Sequence, residues 1–395
     1  MCRSAASLFH RLSADQRGVT GLIFAVSAIV ILGFVGLAAE GGTWYVEKRR
    51  GQNTADAAAA AGMFALAAGQ DVLKNGYAVA TAMGYSSGVS LNSITLNGTP
   101  GVQAVVTTSF TPLFSGMFLS GPVTISESAV AAVAPTGPVC MLALEGAITF
   151  EPGSNVQANG CTFASNWVNA GAMFLDASSL MRVSQAPVSS GGCSVQCEAL
   201  TPEPLTYQLP TPDPFASTIG VVALPNRTSA PCSSIPVPYE STGKIDCNDF
   251  TVASGSAPDL PPGTYFFDDS NIVVLTGGTL SGVGVTIIMT GSSPGAIDVQ
   301  AGATVNLAAP DTSGFDPAFN GVLFYTDKTA AVNLRGSGST FSGVMYFPSS
   351  AVTFTGGSSG CSEIIAGSLS LTGISEFSAS GCPAVAQAQA VRIVQ

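Results

Sequence analysis

The sequence predicts a mainly β protein hung from an N-terminal membrane helix, and three observations predict it. The first is Gly18 to Ala39, GVTGLIFAVSAIVILGFVGLAA, an uncharged apolar run between Arg17 and Glu40. The second is the body of the chain, short apolar runs punctuated by Gly, Ser and Asn in a sequence with 45 Gly and only 9% charged residues. That composition is unlike a helical enzyme with a salt-bridged surface. The third is the cysteines, eight of nine lying beyond the apolar run. The expected architecture is an N-terminal transmembrane helix and helical stalk with a small α+β module, then a C-terminal parallel β-helix (β-solenoid). The boundaries read as 1–17 for a cytoplasmic N-terminus, 18–39 for the transmembrane helix, 40–135 for stalk and module, 139–383 for a disulfide-stabilised β-helix, and 384–395 for a C-terminal tail.

As a helix, the run from Gly18 through Ile23 to Ala39 reaches about 33 Å, slightly more than the roughly 30 Å hydrocarbon core of a bilayer. A cleaved secretory signal is the alternative, and Ala38-Ala39 leaves a site for it, but signal h-regions are shorter than this run. Trp44 and Tyr45 follow, where amphipathic rings settle at headgroup level, and Lys48, Arg49 and Arg50 come next with reach to lipid phosphates. Gly41-Gly42 is expected to loosen or kink the helix. The helix-forming stretch TADAAAAAGMFALAA, 54–68, extends it to about residue 69. Its alanines serve equally well to keep a stalk helical or to pack closely against other small membrane subunits.

Residues 1–50 hold six Lys/Arg against three Asp/Glu, and the remainder is acidic, so nucleic acid is a poor partner. Basic residues on the two sides of the helix balance, three before and three after, and do not orient it. The cysteines do. Cys140, Cys161, Cys193, Cys197, Cys232, Cys247, Cys361 and Cys382 form an even set suited to disulfides, which places everything beyond the helix in an oxidising, extracytoplasmic space. Sequential pairing is preferred, although order along the chain does not fix connectivity. CxxxC at Cys193 and Cys197, with no following His, is a poor zinc pattern.

After a second helical piece at 72–85, strand signals appear at 90–97, 102–109 and 122–134. Asn97-Gly98 is a turn signal between the first two, and Val102, Ala104 and Val106 share one face. The simplest packing lays the long helix on a small antiparallel meander, with a boundary at Pro135 to Pro138. Beyond 139 the apolar runs read as stacked rungs: NIVVL at 271, VTIIM at 285, AIDVQ at 296, TVNLA at 304, VLFY at 322, AVNL at 331, GVMYF at 343, AVTF at 351, EIIA at 363 and SLSL at 368. The echo of TVNL in AVNL places Asn306 and Asn333 one coil apart, in reach of a stacked amide ladder. Nine prolines between about 199 and 240 forbid ladder strands there, and the segment reads as a Pro-rich excursion packed on the rungs, its return pinned by Cys232 and Cys247.

RGVTGLIFAV at 17–26 and WYVEKRRGQNTADAAAAAG at 44–62 resemble the TadG-like proteins of the Tad (tight adherence)/Flp pilus assembly system. CMLALE at 140, DPFA at 213, PPGTYFF at 261, GVTIIMTG at 284 and GVMYFP at 343 are similar to family members with a parallel β-helix. The resemblance implies a non-catalytic structural or assembly component, single-pass in a bacterial inner membrane, with the N-terminus cytoplasmic and a pilin-like module and β-helix in the periplasm. It implies the bilayer and other Tad subunits as partners. One departure stands out: pilins matured by prepilin peptidase carry a glutamate five residues after the cleavage-site glycine, and counted from Gly18 that place is Ile23, which argues against maturation as a pilin.

Catalysis has little to draw on. The only histidine, His10, precedes the helix, so no Ser-His-Asp or Cys-His set can assemble beyond it. GGSSG at 356–360 matches GxSxG but reads as a turn. Asp268-Asp269, and Asp311 with Asp316, are oxygen-ligand candidates for Ca²⁺ that read better as solvated turn carboxylates. No cofactor or metal is expected. The runner-up is a β-helix protein that binds or cleaves cell-envelope polysaccharide in a lyase-like way, with Asp327, Lys328 and Arg335 as its charged residues and Tyr265, Phe266 and Phe267 as sugar-stacking rings.

Overall fold

A computed structural model describes residues 19–96, 98–336, 338–357, 360–382 and 386–394. Segment 1–17, Gly18, Asn97 and Ser358 of the GGSSG string lie outside the described residues. The chain divides into two compact units, 1–133 with 391–395, and 134–390.

In the first unit, helix α1 (Val19–Ala67) runs unbroken from the apolar stretch into the alanines. Gly41-Gly42 does not interrupt it: helix formers flank the pair, no proline intervenes, and two glycines cost only about 2 kcal/mol over so long a helix. Gly69, at φ +65°, ends the run as the Gln70 N–H donates back to the Ala65 carbonyl at 2.8 Å. Helix α2 (Val72–Ala82) starts at Asp71, whose Oδ1 accepts the Lys74 N–H at 3.0 Å.

Strands β1 (Val89–Leu96), β2 (Thr99–Phe110) and β3 (Val123–Ala143) form an antiparallel meander. Val102, Ala104 and Val106 on its inner face are buried together with Ala55, Ala58, Ala59 and Met63 of α1. Small residues make this approach close. A Cβ on Gly62 would lie 2.8 Å from Val102 Cγ1, and one on Gly76 of α2 would lie 2.7 Å from both Leu91 methyl carbons and 3.2 Å from the Ala58 carbonyl oxygen. The chain's own strands and α2 therefore cover the buried alanine face of α1, and the sequence reading that offered these alanines to other subunits is corrected there.

Pro135 and Pro138, expected to mark a break, lie within β3. They fall between the stretch that pairs with β2, ending at Ala132, and the stretch that pairs with Thr162–Ser165, starting at Val139, so their missing N–H groups interrupt neither ladder.

The second unit is built from parallel ladders. One stack runs through Cys232–Ser233, Ile245–Asp246, Gly263–Asp268, Val285–Thr290, Val322–Tyr325, 344–347, 362–366, 139–143, Thr162–Ser165 and Val188–Ser189. A second runs through Phe250–Val252, Ile272–Val274, Ile297–Val299, Val332–Leu334, 352–354, 369–371, Ile148–Phe150, Met173–Leu175 and Cys193–Val195. Shorter ladders on a third side join Asp259–Leu260, Thr279–Val283, Thr304–Ala308 and 340–342, and separately Ile374–Ser378, Asn155–Asn159 and Leu180–Val183.

These stacks do not follow chain order. The chain enters in the middle, builds 139–195 in one direction, crosses over through the proline-rich segment, and returns from 232 until 362–378 pairs with the strands it laid down first. Ile364 stands beside Met141, Leu369 beside Ile148, and Ser375 beside Val156. Asn306 and Asn333 fall on different ladders, beside Thr340 and Thr353, so the expected amide ladder does not form. The echoing tetrapeptides occupy different sides rather than successive rungs of one side.

Inward residues of all sides meet in one core with Phe150, Phe163, Phe267, Phe324, Phe341, Phe347, Phe354 and Phe377 fully buried. The first stack is buried on its outer face too, so every residue of 285–290 and 362–366 is buried, the polar Thr286, Thr290, Ser362 and Glu363 included, rather than every second one. Proline-rich chain covers that face with Phe215 and Ile219. It is tied down where Asn166 and the Thr211 backbone exchange two hydrogen bonds, of 2.7 and 2.9 Å, and where the Tyr346 hydroxyl donates to Asp213 at 2.9 Å. Disulfides join Cys140 to Cys161, Cys193 to Cys197, Cys232 to Cys247 and Cys361 to Cys382. Residues 386–393, expected as a tail, form a strand, Ala386–Ile393.

Candidate functional site

Two regions are candidates for a functional site, one on each unit. On the first, among the described residues, one helix is long and apolar enough to cross a membrane, Thr20–Ala67, with mean hydropathy 2.7 over its most apolar window. Ile23 and Ala39 are exposed along its surface, and Leu22, Phe24, Ile29 and Phe34 are between 68% and 74% exposed. So much apolar surface is unstable in water and needs an apolar solvent or partner.

Past this stretch Trp44 is half-buried and Tyr45 is exposed. The Arg49 guanidinium sits 5.7 Å over the Tyr45 ring and donates to its hydroxyl at 3.2 Å. Lys48 reaches to 4.0 Å of Glu127 on β3, and Arg50 remains exposed, so the basic cluster is only partly engaged by protein. Just beyond, Glu47 accepts the Tyr85 hydroxyl proton at 2.7 Å; burial, then this carboxylate, push the Tyr85 hydroxyl up to about 12.

On the second unit, a cavity of about 500 Å³ opens beside the first stack, lined by Arg227, Asp268, Asp269, Thr290, Tyr325, Asp327 and Lys328 among others. Asp268 ends one strand of that stack and Asp269 follows it, and the return of the proline-rich segment lays Arg227 over them. The Arg227 backbone N–H donates to Asp268, its Nε lies 3.3 Å from Asp268 Oδ2, and its Nη2 lies 3.5 Å from Asp269 Oδ2. Asp269 takes φ +51°, and its Oδ1 accepts the Ser293 N–H at 2.8 Å. Lys328 donates to the Gly291 carbonyl. Burial and then the nearby Asp327 charge raise the Tyr325 hydroxyl to about 12, so it stays protonated at any physiological pH.

Asp268 and Asp269 are engaged by the guanidinium and backbone N–H groups, and the cavity, with Asp327 and Lys328 on its wall, can hold a polar ligand. Among the described residues no group of three or more His, Cys, Asp or Glu is arranged to hold a metal ion. Arg335, grouped with Asp327 and Lys328 in the polysaccharide reading, does not line the cavity; its Nη2 pairs with Asp298 Oδ1 at 3.4 Å on the second stack. Tyr265, Phe266 and Phe267 are at most 1% exposed and unavailable to a sugar; the Tyr265 hydroxyl donates to the Pro261 carbonyl at 2.6 Å.

One buried acid escaped the sequence reading. Glu363 is fully buried on the outer face of the first stack, where Oε1 accepts the Ala386 N–H at 3.2 Å and Oε2 has no hydrogen-bond partner among the described residues. Burial pushes its carboxyl up to about 8; the Ala386 N–H pulls the other way, and the Asp213 charge adds to the rise. The run SEIIAG gave no hint, because only the overlying segment and last strand bury it from both sides.

Comparison with known proteins adds three findings. A solved structure, the Shewanella frigidimarina ice-binding protein_1 DUF3494 domain, aligns with 62% of this chain and 99% of its own length at 14% identity, with a TM-score of 0.23, too low to carry an argument. No curated protein matches the chain. Residues 18–71, the exposed apolar helix with its aromatic and basic exit and its alanines, match the family described as putative Flp pilus-assembly TadE/G-like, and it is to this family that the chain's N-terminal region is similar.

Proposed function

We propose that this protein is a membrane-anchored, non-catalytic structural component of a Tad-type (Flp) pilus assembly apparatus. In this reading the helix spans a bacterial inner membrane once at 18–39, and the N-terminal residues are cytoplasmic. The module at 40–135 and the body at 139–383 stand in the periplasm, and the parallel stacks are the faces of a disulfide-braced β-helix. The observation that carries it is the family match at 18–71 falling on a helix whose apolar residues the chain leaves uncovered. Disulfides in the second unit fit an oxidising compartment. A body whose apolar residues and most aromatics are turned inward offers rigidity rather than a reaction centre, and other Tad membrane subunits are its expected partners.

Reporter fusions test the topology. Alkaline phosphatase joined after residue 394 should be active and a cytosolic reporter there silent, while affinity capture of the full chain from crosslinked cells should recover other pilus-assembly subunits. An active cytosolic reporter at the C-terminus would overturn the orientation. Capture that recovers only polysaccharide-synthesis proteins, with turnover of acidic glycans by the purified chain, would favour the polysaccharide reading.

A further inference from the structure

The connection between β2 and β3, residues 111–122, reads TPLFSGMFLSGP and contains no charged residue. It folds around a short 3-10 turn, Ser115–Met117, and presents Leu113, Met117 and Phe118 at 80% exposure or more, with Phe114 and Leu119 near 45%. A loop facing water would not ordinarily gather five large apolar side chains in seven residues.

Its position explains them. The Phe114 ring packs on α1 at Gly36, where a Cβ would lie only 2.5 Å from the ring, so glycine is required for the contact. Glu40, the first charged residue after the apolar run, accepts the Leu113 N–H at 2.7 Å through Oε1 and the Ser115 N–H at 2.8 Å through Oε2. One carboxylate thus ties the loop to the helix at the level where the apolar run ends. Gly36 lies three residues inside that end, about 4.5 Å along the axis. If α1 is in a bilayer, the exposed apolar side chains of the loop stand at the same level as the last lipid-facing turn of the helix.

We propose that loop 111–122 is a second membrane contact, a monotopic apolar tip that inserts into the outer-leaflet interface beside the helix exit and fixes the tilt and rotation of the module above it. This rests on the transmembrane reading of α1. The lipid bilayer is the occupant that fits, because the tip is continuous with the apolar surface of α1, carries no charge, and hides its backbone N–H groups at Leu113 and Ser115 in a carboxylate. Sequence inspection missed it because the loop is too short to show as a span.

The test uses the full chain in phosphatidylcholine–phosphatidylglycerol vesicles with lipids brominated at defined acyl depths, in a background where Trp44 and Trp167 are replaced by Phe. Phe118→Trp reports the loop, Ile29→Trp the helix, and Val221→Trp, on the second unit, exposure to water. Expected is deep-bromine quenching of Ile29→Trp, and loss of about half the emission of Phe118→Trp with lipids brominated near the headgroup, with Val221→Trp unaffected. Quenching of Ile29→Trp with Phe118→Trp behaving like Val221→Trp would overturn the proposal while leaving the anchor standing. Phe118→Trp shielded from both bromine and aqueous iodide would overturn it in favour of a protein partner or second copy. An unquenched Ile29→Trp would remove the anchor reading and the proposal together.

Discussion

At the scale of single residues, Asp268 and Glu363, both buried in the second unit, are met in different ways by their surroundings. Asp268 is met by a guanidinium; Glu363 by one backbone N–H. Because the Glu363 carboxyl stands at about 8 in the folded chain against an ordinary 4.5, the folded state keeps a proton that the unfolded chain releases. Its contribution to stability is therefore fully present below about pH 4.5 and is lost as pH rises through 8. Unfolding midpoints measured at pH 5 and pH 8 should show this loss, and Glu363→Gln, which keeps an acceptor for Ala386 without titrating, should abolish that part of the slope. For Asp268, at 1% exposure, Arg227→Met strands a buried charge and should cost about 2–3 kcal/mol in urea unfolding. From sequence Asp268 stood out only as one of a pair of turn carboxylates expected to be solvated, and Glu363 did not stand out at all; the burial of both comes from distant chain packed over their strands.

Among elements, α1 serves two environments. Its first half leaves apolar side chains exposed, and its second half buries one alanine face under β2 with α2 crossing at Gly76. The crossing depends on a missing side chain. Gly76→Val would press a Cβ to 2.7 Å from the Leu91 methyl carbons and 3.2 Å from the Ala58 carbonyl, and should destabilise the first unit by about 2 kcal/mol, read as a lowered thermal midpoint of the full chain in detergent. Alanine content made the helix legible, and period-2 patterning placed Val102, Ala104 and Val106 on one face. What covers the alanines was not legible, because small residues suit a stalk, an intersubunit contact and a tight intrachain crossing equally. The continuity of β3 through Pro135 and Pro138 was likewise hidden, although the prolines fall close to the division between the two units: they sit between two ladders and break neither.

For the molecule as a whole, the second unit is closed by the meeting of its last strands with its first. Phe377, on the returning strand Ile374–Ser378, packs 4.9 Å from the Phe354 ring and is fully buried. Phe377→Ala should cost about 3–4 kcal/mol. Hydrogen exchange should then show faster opening at 155–159 as well as at 374–378, because the two pair directly; protection lost at 374–378 alone would contradict the closure. Local composition was enough to determine a long apolar helix near the start, an even cysteine set beyond it, and the short apolar runs from 271 to 371, each of which contains a strand or lies within one. Those features depend on residues near one another in the chain, on hydrophobic run length, period and turn chemistry. Tertiary structure alone decided that 362–378 returns to 141–159, that Asn306 and Asn333 lie on different ladders, that Tyr265 to Phe267 are closed to ligands, and that Leu113 to Leu119 sit beside the end of the apolar run. These depend on which distant segments share a face, and parallel pairing can join strands separated by any length of chain, so no local period records it.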